Sequence, residues 1–97
     1  TIDSTTSLAI NTWTHVCAVF DPSNSITIYI DGVADGTTAT ALSSINDSAD
    51  DFVMGNRLVG GTSNFWLGQI DEACIFDKAL SADEVAWLAD DHFFADL

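Results

Sequence analysis

Basic residues are almost missing from this chain. Arg57 and Lys78 stand alone against fifteen acidic residues, and the net charge is −13. Phosphate is neutralised by clustered Lys and Arg, so nucleic acid and anionic membrane surfaces are poor partners, and no nucleic acid is expected. Long apolar runs are missing too. Nothing approaches the ~20 residues that cross a bilayer, and no secretory leader is visible, so no membrane insertion is expected. With two cysteines and two widely separated histidines, the chain lacks the ligand set of a zinc site. Glutamate is scarce as well: only Glu72 and Glu84 occur, and no E-x-D or E-x-x-x-E pair is found. A glycosidase needs two carboxylates on one face, roughly 5–10 Å apart. Asp71 and Glu72, read as strand neighbours, point to opposite faces. Neither a G-x-S-x-G elbow nor a glycine-rich phosphate loop is present. The chain is read as no enzyme.

What is present suits one small domain spanning residues 1–97. Apolar residues make up 47% and charged ones 18%, a balance that favours a packed core over disorder. All the acids except Glu72 and Glu84 are Asp, which suits turns and also suits calcium, a lover of loop oxygens. Solvated, mutually repelling loops are the competing account. Asp47, Asp50 and Asp51 crowd one polar loop and are candidate calcium ligands, without the glycine and closing Glu of an EF-hand. Cys17 and Cys74 each lie in an apolar stretch. They are either a disulfide, in keeping with an extracellular setting, or two buried free thiols. Asn46-Asp47-Ser48 matches the N-glycosylation sequon.

Residues 13–20 (W-T-H-V-C-A-V-F) alternate and then turn continuously apolar, as a strand buried on both faces for part of its length does. His15 within it reads as a satisfied core histidine. Asp21-Pro22-Ser23-Asn24 has type I turn chemistry. Ile26, Ile28 and Ile30 then share one face of a half-buried strand, with Thr27, Tyr29 and Asp31 on the other. Asp31-Gly32 and Asp35-Gly36 are both hairpin signals. A return strand of modest burial is expected over 33–42, a polar loop over 43–51, a short strand over 52–55, and a long strand over 65–76. Ser81 and Glu84 form a capping box, Leu80 and Val85 a staple across it, and Val85, Leu88 and Ala89 the core stripe of a closing helix. Trp87 points away from that stripe.

These pieces resemble a known family. W-T-H-V-C-A-V-F-D is similar to the W-x-H-V-A-x-V-Y-D strand of laminin-G-like (concanavalin-A-like) domains. I-T-I-Y-I-D-G-V is similar to their L-x-L-Y-V-D-G-x hairpin, and residues 65–85 to their closing G-x-I-D-E-V-x-I-Y-x-x-A-L-S-x-x-E-V. The resemblance implies an all-β, antiparallel jelly-roll β-sandwich with one short C-terminal helix. Such domains usually have about a dozen strands, and the opening ones would precede Trp13. The fold is therefore expected to be incomplete in this chain alone, with an upstream segment or neighbouring chain completing the sandwich. Thr1 in place of Met agrees with a processed product, a fragment or part of something longer.

The family usually binds ligands through rim loops, which implies a non-catalytic recognition module on an extracellular, cell or virion surface. Its ligand would be a glycan or a protein. A structural subunit of a virion appendage or surface filament is the alternative, and an accessory domain of a carbohydrate-active enzyme a further one. Tyr29 and Trp66 are candidates for stacking on a sugar, against ordinary packing. Asp71, the acid of the I-D-E motif, sits where relatives sometimes support calcium, and otherwise accepts backbone hydrogen bonds. Trp87, Phe93 and Phe94 either fold back on their own domain or form an interface.

Overall fold

The computed structural model of the chain describes residues 3–45, 49, 54–55 and 66–90. It divides into two compact units, Thr1–Ile45 with Phe76–Leu97, and Asn46–Ile75. The first unit holds a three-stranded antiparallel meander, β1 (Val16–Asp21), β2 (Ser25–Ile30) and β3 (Val33–Ala39), and one helix, α1 (Ala82–Ala89). The described elements are those of an all-β, antiparallel fold with one short C-terminal helix.

The turns explain the register. Asp31 and Gly32 both take positive φ, 50° and 81°, the requirement of a type I′ hairpin whose twist matches that of its strands. Gly32 meets a second demand. A Cβ built there would lie 3.1 Å from the Ala86 Cα and 3.1 Å from the Ala89 Cβ, so the turn seats against α1 only because glycine has no side chain.

Two turn readings need correction. Ser23 has φ 57°, the left-handed value that a type II geometry takes at this position, and type I does not. The Asn24 N–H and side-chain amide both donate to Asp21, at 3.1 and 2.7 Å, and hold that turn. Asp35-Gly36 is no turn at all. It lies inside β3, where pairing jumps from Ile28↔Gly36 to Tyr29↔Ala34 and leaves Asp35 as the extra residue of a bulge.

That bulge aims Asp35 at the preceding segment. Its carboxylate accepts the Thr6 N–H at 2.8 Å and the Thr6 hydroxyl at 2.6 Å, while its carbonyl accepts the Thr5 N–H and hydroxyl. Gly36 admits the same segment, since a Cβ there would stand 2.8 Å from the Asp3 carbonyl oxygen.

Strand alternation puts Val16, Ala18 and Phe20 with Ile26, Ile28 and Ile30 on one face, and Cys17 and Val19 with Thr27 and Tyr29 on the other. The deepest burial falls on the second face. Val19 joins Leu80, Val85 and Leu88 in the buried cluster, with Cys17, Tyr29, Phe76 and Trp87 packed against it. The isoleucines stay outside this cluster, half-buried, and Val16 beside them is 51% exposed.

Helix α1 begins as its sequence requires. The Ser81 hydroxyl accepts the Glu84 N–H at 3.2 Å and the Glu84 carboxylate accepts the Ser81 N–H at 3.1 Å, closing the capping box. Leu80 and Val85, the staple pair, are both buried. Full burial of Val85 contributes about 1.5–3 kcal/mol. Trp87 departs from the helical-wheel expectation: half-buried, it packs against the core cluster.

The expected long strand over 65–76 does not form across its described part, 66–76. Leu67 is 99% exposed, and Ile70 and Ile75 are exposed as well. A strand leaves its backbone groups unsatisfied without a paired neighbour, and none pairs with it among the described residues. Half of the expected strand over 52–55, Phe52 and Val53, lies outside the described residues, and Met54 and Gly55 form no strand.

Candidate functional site

A groove of about 520 Å³ lies in the first unit between the β2–β3 turn and one side of α1. Gly32 and Val33 form one wall; Ala86, Trp87 and Ala89 form the other. Asp31, Asp83 and Asp90 stand along it. The hairpin fixes Asp31, whose carboxylate accepts the His15 N–H at 3.0 Å while its own N–H donates to the His15 carbonyl at 2.8 Å. Asp90 is the C-cap of α1 and its N–H bonds the Trp87 carbonyl at 3.2 Å. No basic residue occupies the last helical turn, so the negative end of the helix dipole is uncompensated there.

The groove was not legible in the sequence. Among its walls the sequence marks Trp87 alone as a binding candidate, while Gly32 reads as a turn residue and Ala89 as core; the doubled Asp31-Gly32 and Asp35-Gly36 signals conceal which turn meets the helix. His15 also differs from its reading as a satisfied core residue. Its Nδ1 is buried without a hydrogen-bond partner among the described residues.

The other described candidates fall in both units. Tyr29, half-buried, packs against the core cluster. Trp66 belongs to the second unit and is 51% exposed. There the Trp66 N–H donates to the Gly55 carbonyl at 2.7 Å and its indole N–H to the Gln69 carbonyl at 3.3 Å. Asp71 and Glu72 are not strand neighbours: Glu72 takes φ 52° and its N–H donates to the Asp71 carboxylate at 2.8 Å. Asp47, Asp50, Asp51, Phe93 and Phe94 lie outside the described residues. Among the described residues no three His, Cys, Asp or Glu side chains are placed to hold a metal ion. Cys17 is half-buried in the first unit and Cys74 exposed in the second, and partial burial pushes the Cys17 thiol above its ordinary pKa.

Two carboxylates are held in their charged form. Asp35 lies below the usual carboxylate range, chiefly through the Thr6 hydroxyl and then the Thr6 N–H. Glu84 is lowered by its hydrogen bond from Lys78, at 2.7 Å, and then by the Ser81 N–H. One glutamate is thus committed to capping and ion pairing.

The chain belongs to the concanavalin A-like lectin/glucanases superfamily, whose Laminin_G_3 model matches residues 1–86. Among solved structures it is similar to residues 221–444 of an S-layer domain-containing protein from Clostridium thermocellum, at 26% identity and a TM-score of 0.68. That match covers 90% of this chain and 43% of the other, so the chain spans less than half of the solved domain. No curated protein matches the chain. No helix among the described residues is long and apolar enough to cross a membrane.

Proposed function

We propose that this chain is a non-catalytic recognition module of an extracellular or particle surface, binding a glycan or a protein outside its sheet. The observation that carries the reading is the likeness to an S-layer domain-containing protein, joined to membership of a lectin-bearing superfamily. The locked geometry of Glu84 supports the non-catalytic part, since both its oxygens are engaged, one by Lys78 and one by Ser81. A glycan array probed with the labelled chain tests the proposal, with release of reducing ends from the same glycans followed in parallel. Binding without hydrolysis is expected. Hydrolysis would overturn it.

A structural role in a surface assembly is the second reading, favoured by the same S-layer likeness and by the incomplete sandwich. Silence on the array combined with ordered, high-mass assemblies in size-exclusion chromatography would select it. A monodisperse monomer would remove it.

A further inference from the structure

We propose that the groove between the β2–β3 turn and α1 receives the Lys or Arg side chain of a basic polypeptide segment. This rests on the recognition reading above and names the partner for one surface.

The walls and the rim divide the work. Val33 is 68% exposed, and with Ala86 and Trp87 it offers apolar surface for the methylene stem of a long cationic side chain. Asp83 and Asp90 stand at opposite ends of α1, about 10 Å apart along its axis, so with Asp31 they offer acceptors along a basic segment lying in the groove. Two further features favour positive charge at this place. The C-terminal carbonyl end of α1 carries a partial negative charge with no basic residue in its last turn. Trp87 lines the groove, and indole is the best aromatic partner for a cation.

The charge of the whole molecule selects among occupants. A second copy would bring the same −13 and repel. A bare metal ion is not suited, because no three acidic, His or Cys side chains converge closely enough among the described residues. The chain's own Lys78 is held by Glu84 at 2.7 Å. A basic partner segment meets both the apolar walls and the acidic rim, and the field of the protein steers it inward.

Titration with a hexa-arginine peptide, against the neutral hexa-citrulline peptide of the same length, tests the inference by calorimetry and amide chemical shifts. Asp83→Asn/Asp90→Asn should weaken hexa-arginine binding about tenfold, the sum of two lost charge contacts of under 1 kcal/mol each. The control pair Asp3→Asn/Asp77→Asn removes the same charge away from the groove and should change binding less than about twofold, as screened distant charges do. Shifts should centre on Val33, Ala86 and Ala89, and helical circular dichroism should be retained. Equal weakening by both pairs, equal binding of hexa-citrulline, or shifts centred elsewhere would each overturn the inference. A chain that binds glycans on the array yet ignores hexa-arginine keeps the recognition reading and loses this one.

Discussion

Replacing Gly32 by alanine should be among the most damaging single-methyl changes in this chain. Two separate effects add. Gly32 has φ 81°, and holding an L-residue in that left-handed region costs about 1–2 kcal/mol. The new Cβ would also stand 3.1 Å from both the Ala86 Cα and the Ala89 Cβ. One neighbour is helix backbone, so the turn or the helix must shift, an overpacking effect of about 1–3 kcal/mol. Against this, alanine restricts the unfolded chain and returns about 0.4–1 kcal/mol. The net is a destabilisation of about 2–3 kcal/mol, or roughly 10–20 °C in Tm for a domain of this size. Thermal unfolding followed by circular dichroism reads it directly.

A partner measurement separates the two effects. Ala89→Gly removes the side-chain one of the two close contacts, so combining it with Gly32→Ala should be less damaging than the sum of the single changes by about 0.5–1 kcal/mol. A Gly32→Ala variant melting within about 3 °C of the parent would refute the close seating of turn on helix.

The remaining predictions concern the cap, the core and acid. Ser81→Ala should destabilise by about 1 kcal/mol through loss of the Glu84 N–H acceptor, read by denaturant melts; an unchanged midpoint would remove the capping box from the account. Val85→Ala, at a fully buried position, should cost about 2–3 kcal/mol, while Leu67→Ala, 99% exposed, should stay within about 0.5 kcal/mol; similar losses at both would contradict the core assignment. Asp35 and Glu84 are depressed in the folded state, so their stabilisation is present above the ordinary carboxylate range and lost as pH falls through their lowered values. Acid should therefore release the Thr6 amide, seen as faster hydrogen exchange below about pH 4, and Asp35→Asn should flatten that response; exchange independent of pH beyond the chemical rate would refute it.

The local rules written in this sequence are strong where they are short-range. The Ser81–Glu84 box lies three residues apart, and both halves depend only on backbone within one turn, so it was readable from spacing. Asp31-Gly32 was readable for the same reason. Asp35-Gly36 carried an identical signal and became a bulge, because β3 pairing with β2 continues past it and ladder bonds outweigh a dipeptide preference. The alternation of residues 66–76 suggested a strand equally well, yet a strand is a relation between two segments, and no described segment supplies the second.

The candidate site divides along the same line. Composition alone set the sign of any charged partner, since −13 leaves no freedom on that point. Family membership was legible because its motifs are ordered in sequence. The groove was not, because Val33 and Trp87 are more than fifty positions apart and meet only when the β2–β3 turn reaches the flank of α1.

By itself, then, the sequence determined the antiparallel hairpins, the capped helix, the acidic character and the family, all consequences of neighbours a few residues apart or of composition. Tertiary structure decided which face of the meander α1 covers, that Trp87 packs on its own core, and that Asp31 edges the same groove as the distant Asp83 and Asp90. Packing chose among faces that local preference leaves nearly equal, and the glycine at the β2–β3 turn let the helix approach.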